Sequence, residues 1–334
     1  MREKRAKALA LLSGGLDSTL AVWLILKQGI EVIGVNFTTP FFSPKKAIES
    51  AKFLNIPLEI VDITDEYLNI LKNPKYGYGK NLNPCIDCHA FMIRKTLELM
   101  KKYNADFIIT GEVLGERPMS QNKNSLNIVA KYSGAEDYVL RPLSAKLLPP
   151  TKPEREKWVD REKLLDIQGR SRKRQLELAK EIGLENIPTP AGGCLLTEPI
   201  FSKKLLDLLK NKEDVTRRDL ELLKIGRHFR LPSNVKVIVG RNKDENDKLL
   251  NYFGEKDTLF KAKDPSAVVL VPDITIEDEE NKKLVARISA YYSDHRKDLE
   301  IPVLYKTFLR EEIIIVKELL KEELDFLKYN IACR

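Results

Sequence analysis

One stretch near the start of the chain constrains the fold more than any other. An apolar run over residues 7–13 meets Ser13-Gly14-Gly15-Leu16-Asp17-Ser18, and an apolar helical pattern follows over 19–27. A strand that turns on glycines straight into a helix begins a βαβ unit and exposes backbone N–H groups at the helix start. The alternation continues, with strand patterns at 31–37, 58–61 and 106–110 and helical ones at 44–54 and 91–103. Such alternation implies parallel pairing, so the expected class is α/β with a doubly wound, mostly parallel sheet. Residues 73–84 carry turn formers without periodicity and read as a long active-site loop. A further strand is expected at 138–143, with helices near 161–167 and 171–183.

A second unit is expected after Pro199. Helical segments at 201–209 and 218–225 precede a strand at 235–239, a helix from Glu245, an apolar strand at 267–271 and a long helix around 282–292. The expected organisation is an α/β domain over 1–200, a basic helical linker over 201–230 and a smaller α+β domain over 231–334. The total of 334 residues suits two domains of ordinary size.

No apolar run approaches the roughly 18–20 residues of a membrane span, and the short apolar run after the basic N-terminus shows no cleavage pattern. A cytoplasmic protein without membrane contact is therefore expected. In that compartment the four cysteines read as metal ligands or reactive thiols rather than disulfides. The net charge of +8 is unevenly spread: residues 201–243 hold 12 basic and 5 acidic side chains, residues 244–334 hold 15 and 20. A concentrated positive stretch points towards a polyanionic partner, RNA or DNA.

The glycine loop suits an anion. Gly14 and Gly15 permit the tight turn, and Ser13, Ser18 and Thr19 add hydroxyl donors to the helix-start amides. Asp17 is placed to hold Mg²⁺ beside bound phosphates. The loop has neither the Gly-Lys-Ser/Thr of a Walker A motif nor the spacing of a dinucleotide fingerprint. It resembles the PP-loop of N-type ATP pyrophosphatases, which split ATP into AMP and pyrophosphate while activating a carbonyl oxygen. That resemblance implies that Asn36 and Phe37, at the end of the second strand, lie near the adenine.

Three cysteines carry the second signal. Cys85 and Cys88 stand in Asn83-Pro84-Cys85-Ile86-Asp87-Cys88-His89, and Cys194 follows Ala191-Gly192-Gly193. The haem-attachment reading of Cys85–His89 fails for want of an export signal. Three readings stay open: a structural zinc using the thiolates and His89, a redox pair or catalytic persulfide, and an iron–sulfur cluster with three ligands and one open iron. The last is favoured. Cys333 reads as a bystander.

Across residues 7–200 the chain resembles tRNA-thiolating PP-loop enzymes. Ile109-Thr110-Gly111-Glu112-Val113-Leu114-Gly115, Ser120-Gln121 and Val139-Leu140-Arg141-Pro142-Leu143 resemble tRNA 4-thiouridine synthetases, and Cys194 falls near their catalytic cysteine. Asn83-Pro84-Cys85-Ile86-Asp87-Cys88 resembles the Asn-Pro-Cys-x-x-Cys of tRNA 2-thiouridylases. The chain lacks a recognisable synthetase-type N-terminal tRNA-binding module and a rhodanese domain, and Ser144-Ala145-Lys146-Leu147-Leu148 departs from the synthetase pattern. The resemblance implies ATP-dependent tRNA uridine thiolation with Asp17 and Cys194 as catalytic residues. ATP would lie against Ser13, Gly14, Gly15, Asp17, Ser18, Thr19, Asn36, Phe37 and Gly111. A [4Fe–4S] cluster would sit on Cys85, Cys88 and Cys194, fed by sulfide or a cysteine desulfurase. A homodimer is admitted. The rival readings are an amidating PP-loop ATPase and an RNA-binding adaptor without catalysis.

Residues 233–320 resemble the RNA-binding R domain of the NFACT family through 239–247, 257–265 and 290–293. The resemblance implies phosphate contacts by Arg241, Lys243 and Lys261 and a sugar or base contact by Asn242. Tyr291 and Tyr292 are either stacking faces or core. The cluster Arg170-Ser171-Arg172-Lys173-Arg174 is read as an RNA-backbone contact near Cys194, or as a solvated helix face.

Overall fold

The computed structural model describes residues 6–185, 187, 193–317 and 327–333. It divides into two compact units, Met1–Thr197 and Glu198–Arg334.

The first unit is the expected parallel α/β sheet. Its strands are β1 (Lys7–Leu11), β2 (Glu31–Thr38), β3 (Leu58–Asp62), β4 (Phe107–Ile109) and β5 (Val139–Leu140), in the order β3-β2-β1-β4-β5. Every pairing is parallel. Ala8, Leu9 and Ala10 are each 0 % exposed, because helices cover both faces of the central strand. The order reverses between β1 and β4, and ligands of such sheets bind beyond the carboxyl ends of the strands at that point. The glycine loop leaves β1 there, and residues 110–121 leave β4.

Helix α1 (Leu16–Leu26) starts three residues before the expected Thr19 and is buried on nearly every side. An apolar helix needs such enclosure. Helix α2 spans Lys45–Leu54. The sequence pattern did not mark α3 (Thr64–Lys72) or α5 (Lys123–Ser133). Helix α4 (Cys85–Tyr103) begins six residues earlier than expected, which places Cys85 and Cys88 in its first turns. Pro84 is the cap residue, and the buried Asp87 carboxylate accepts from the Lys75 and Tyr76 amides at 3.0 Å each. Those polar residues are helix-start chemistry rather than loop. They also pin residues 73–84, which form no helix or strand. After α6 (Lys152–Arg155), the helix expected near 161–167 is only a 3₁₀ turn at Arg161–Lys163. Helix α7 (Lys173–Glu181) follows, its buried face made by Gln175, Leu178 and Ala179.

The second unit is α+β. Its six-stranded antiparallel sheet runs β11-β10-β8-β9-β7-β6. The strands are β6 (Arg227–Arg230), β7 (Lys236–Val239), β8 (Thr258–Ala262), β9 (Val268–Val271), β10 (Glu300–Lys306) and β11 (Glu311–Lys317). The helices are α8 (Pro199–Asn211), α9 (Arg217–Leu222), α10 (Lys243–Tyr252) and α11 (Glu279–Tyr291). Residues 201–230, read from sequence as a linker, thus form α8, α9 and the edge strand of this unit. Among the described residues no helix is long and apolar enough to cross a membrane.

Candidate active site

The glycine loop is held by its own side chains. Ser18 Oγ and Thr19 Oγ1 donate to the Gly15 carbonyl at 3.0 and 2.9 Å, and Ser13 Oγ lies 3.2 Å from Ser18 Oγ. Thr19 Oγ1 also lies within hydrogen-bond distance, 3.0 Å, of Ser50 Oγ on α2. Gly15 caps α1 without any side-chain acceptor, so the first helical amides are not claimed by a capping residue. Gly14 has φ +75°, and a Cβ there would lie 2.1 Å from the Lys46 carbonyl carbon. Gly111, expected near the nucleotide, abuts the start of α1, where a Cβ would lie 2.4 Å from the Ser18 nitrogen. Only glycine fits either position.

Asn36 is buried at the end of β2 and donates from Nδ2 to the Leu12 carbonyl at 2.8 Å, leaving Oδ1 buried without a partner. Phe37 is only 4 % exposed, so its ring is interior. Asp17 is raised above the ordinary carboxylate range, foremost by burial, against the opposing pull of Arg172, the Gln175 amide and Arg117. Its Oδ1 is buried and closes no hydrogen bond of normal geometry.

The cysteines come together although 106 positions separate Cys88 from Cys194. The Cys194 segment is tied down by two bonds: Leu195 N donates to the Phe41 carbonyl at 3.0 Å and Asn81 Nδ2 to the Thr197 carbonyl at 2.7 Å. Ala191 and Gly192 lie outside the described residues, while Gly193 takes φ +68°. Tyr67 of α3, 1 % exposed, feels the charge of all three thiols and hydrogen-bonds Cys88. Asn83 Nδ2 donates to Cys85 Sγ at 3.2 Å. Burial pushes the Cys88 thiol far up and the Cys194 thiol to about 11. Neither is a free thiolate near neutrality, unlike an activated nucleophile. Among the described residues no three His, Cys, Asp or Glu side chains are arranged to hold a single metal ion.

Arg117 links the two centres: it pulls down both Asp17 and Cys194. Below them, Glu112 accepts from Arg141 Nε at 2.8 Å and from Thr110 Oγ1 at 3.1 Å, and lies 2.8 Å from His89 Nδ1. Burial would raise this carboxyl, but Arg141 and His89 hold it at about 2. The anion therefore fixes His89 on the cysteine helix against the segment after β4.

Sequence reasoning singled out neither Tyr67, Glu116, Arg117 nor Gln175. Only Gln175 left a usable signal, as a polar residue on the apolar face of α7. Of the basic run, Arg172 lies within electrostatic reach of Asp17, Arg174 pairs with Glu177 at 3.1 Å, and Arg170 and Lys173 are exposed.

In the second unit the expected contacts are largely engaged locally. Arg241 chelates Glu245 through its amide and guanidinium, Asn242 Oδ1 caps α10 by accepting from Glu245 N at 2.9 Å, and Lys261 pairs with Asp264 at 2.9 Å. Lys243 is exposed and has no side-chain partner among the described residues. Tyr291 and Tyr292 meet edge to face at 4.9 Å, half-buried against the core beside Phe229.

Residues 4–146 match the family model described as thiamine biosynthesis protein (ThiI), and residues 226–329 match that of the NFACT protein RNA binding domain. Two separate parts of the chain are thus similar to these two families. It is 32 % identical over 152 residues to the tRNA-specific 2-thiouridylase MnmA of Karelsulcia muelleri, covering 41 % of this chain and 39 % of that protein. It is 30 % identical over 198 residues to a "Probable tRNA sulfurtransferase" of Anoxybacillus flavithermus, covering 48 % of this chain and 49 % of that one. The chain thus spans less than half the length of these two curated relatives. A solved 4-thiouridine synthetase–RNA complex with bound ATP is 25 % identical, with a TM-score of 0.42 over 58 % of this chain and 46 % of that chain.

Proposed function

We propose that the chain is an ATP-dependent tRNA-thiolating enzyme of the cytoplasm. The observation that supports this is that the Arg117 charge acts on both Asp17 of the glycine loop and the Cys194 thiol, which favours reading the two centres as one site. The two MnmA- and sulfurtransferase-named relatives support the same chemistry. ATP would lie with its phosphates at the first amides of α1, where the helix dipole favours anions. Asp17 would hold Mg²⁺, its otherwise unpartnered Oδ1 being a suitable ligand atom.

A uridine carbonyl oxygen attacks the α-phosphorus, pyrophosphate leaves, and the base carries AMP on its former carbonyl oxygen. Hydrosulfide then adds at the activated carbon and the oxygen departs with AMP; persulfide sulfur from a cysteine desulfurase would enter the same step after a second thiol reduces it, forming a disulfide. The target base must leave its stack to reach the site. The NFACT-type domain would supply the RNA grip through Lys243 and its neighbours.

The three thiols fit an iron–sulfur cluster. They converge on Tyr67, and both Tyr67 and Asn83 donate to sulfur, as second partners around metal-bound thiolates do. When bound, such a [4Fe–4S] cluster would offer its fourth iron to hydrosulfide.

Anaerobically purified protein should be brown and contain iron and acid-labile sulfide. Cys85→Ala, Cys88→Ala and Cys194→Ala should each lose colour and the thiolated nucleoside seen by mass spectrometry of tRNA, while Cys333→Ala keeps both. Colourless protein that still thiolates tRNA, with Cys194 alone essential, replaces the cluster by a persulfide. Loss of the gene without change in any thiolated nucleoside sinks the function itself.

A further inference from the structure

The second unit leaves one edge of its sheet bare. Strand β11 ends the six-strand order and pairs only with β10, so among the described residues its outer N–H and C=O groups meet no further strand. Five of the nine large hydrophobic side chains that the described part of this unit exposes stand on or beside the β10–β11 hairpin: Leu299, Phe308, Leu309, Ile313 and Ile315. One face of the hairpin is core, with Val303, Tyr305 and Val316 buried under α11 and Ile314 packed against them. On the opposite face the apolar layer beneath α9 and α10 reaches β8 through Leu259 and stops there. Beyond it the register sets Leu304 across from Ile313 and Pro302 across from Ile315. Ile313 is 60 % exposed and Ile315 53 %. Edge strands are normally guarded by a charge, a proline or a bulge. Glu311–Lys317 carries charges at its two ends and Ile313-Ile314-Ile315-Val316 between them. A bare apolar edge of this kind marks an interaction surface.

The order of charges says what fits it. Antiparallel pairing of β11 with the same strand of a second copy, about a two-fold axis at Ile314, sets Glu311 opposite the partner's Lys317 and Lys317 opposite the partner's Glu311. Ile313 then meets the partner's Ile315. The axis preserves each face, so an apolar strip runs from Leu304 and Ile313 of one copy to the partner's Ile315 and Pro302. A two-residue shift sets Glu311 or Lys317 opposite an isoleucine, and parallel pairing in register sets glutamates against glutamates. Glu311 also pairs with Lys306 across its own hairpin, so the partner's Lys317 extends a charge row rather than rescuing an isolated carboxylate. RNA is the poorer occupant, because Glu311 and Glu312 repel phosphates and an isoleucine strip offers them no donor.

We propose that the β11 edge is a homodimer interface through which two copies join their six-stranded sheets into one continuous antiparallel sheet. The homodimer admitted from sequence thereby gains a surface. It does not depend on the thiolation reading.

Two measurements on the full chain test this. Light scattering across a concentration series should show a monomer passing into a dimer. Zero-length carbodiimide coupling of mixed isotope-labelled and unlabelled protein should give a Glu311-to-Lys317 cross-link that carries one label of each kind. Within one chain the two residues lie about 20 Å apart, at roughly 3.3 Å per residue of strand, so only two copies can be joined this way. Ile313→Lys/Ile315→Lys sets lysines against lysines across the axis and should weaken the dimer about tenfold or more, with loss of the cross-link. Its melting temperature in dilute solution should stay within about 2 °C of wild type, because both side chains already stand in water. Wild type that is monomeric at every concentration would overturn the proposal. A dimer that lacks the cross-link and survives the double substitution would overturn it too, since the contact then lies elsewhere. Two further results name a different occupant and also overturn it. A monomeric wild type with a double variant that melts lower has the strip covered by its own chain. A double variant of unchanged mass that loses tRNA affinity has the strip on RNA.

Discussion

The two units treat polar groups in opposite ways. In the first, buried polar atoms of Asp17, Asn36, Glu116, Gln121 and Gln175 lack partners among the described residues, all on or near the loops and helices beyond the carboxyl end of the sheet. In the second only His228 Nδ1 and Ser289 Oγ do so, while the buried carboxylates Asp207 and Asp219 are matched by cations. Asp207 accepts from Arg230 at 2.8 Å and from Lys236 at 2.6 Å, and Asp219 takes Lys212 at 2.8 Å. Unpaired groups concentrated in one place are what a small-molecule pocket carries before its ligand completes it. Paired charges build a rigid frame whose exposed cations can meet a polymer. The contrast implies that stability and activity can be broken separately.

The largest effect should come from the unpaired side. Asp17→Ala should cut tRNA-dependent AMP formation by about 10³-fold, the scale of lost electrostatic stabilisation at a reacting phosphate. Its thermal midpoint should not fall. A midpoint that drops with the rate would mean the loop is structural and would erase the contrast.

Asp207→Ala inverts that pattern. It strands Arg230 and Lys236, each about one-tenth exposed, and should cost about 3 kcal/mol in the urea unfolding of the second unit. AMP formation per folded molecule should remain. Equal loss of both would show that the second unit shapes the catalytic centre.

A pH series gives a smaller effect and a sign. Lys204 donates to the Leu223 and Gly226 carbonyls, yet burial, reinforced by Arg241 and Lys236, lowers it from 10.5 to about 8. Between those two values the unfolded chain holds a proton that the folded chain has shed, so this group's contribution to stability rises with pH from about 8 towards 10.5. Lys204→Met should flatten that rise in a denaturation series over the same window. An unchanged slope would mean that Lys204 keeps its proton.

The smallest effect concerns RNA. Lys243→Ala should lower the log–log salt slope of tRNA binding by about one unit. Arg241→Ala should lower it less, because Glu245 already neutralises that side chain. Glu245→Gln should strengthen tRNA binding by releasing Arg241. Equal slopes for Arg241→Ala and Lys243→Ala would show that RNA displaces the Glu245 pair.

Local pattern determined much of this protein. The strand–glycine–helix run and the apolar alternation dictated a parallel sheet, and only glycine tolerates the backbone approach at Gly14 and Gly111. The glycine loop and three cysteines were legible because each needs specific residue types at short spacing. The strands β6, β8, β10 and β11 were not, since strand preference rests on cross-strand and same-face neighbours that a short window of sequence does not show. Helix α3 was hidden likewise, and with it Tyr67. Tertiary structure alone decided which charges meet: Arg172 was one of four basic residues in a five-residue run until α7 packed beside α1 and brought its charge within reach of Asp17. Arg117 had no local signature at all. Sequence fixes the chemistry each side chain can perform, but electrostatic coupling depends on distance through space, and that distance is set only when the chain closes on itself.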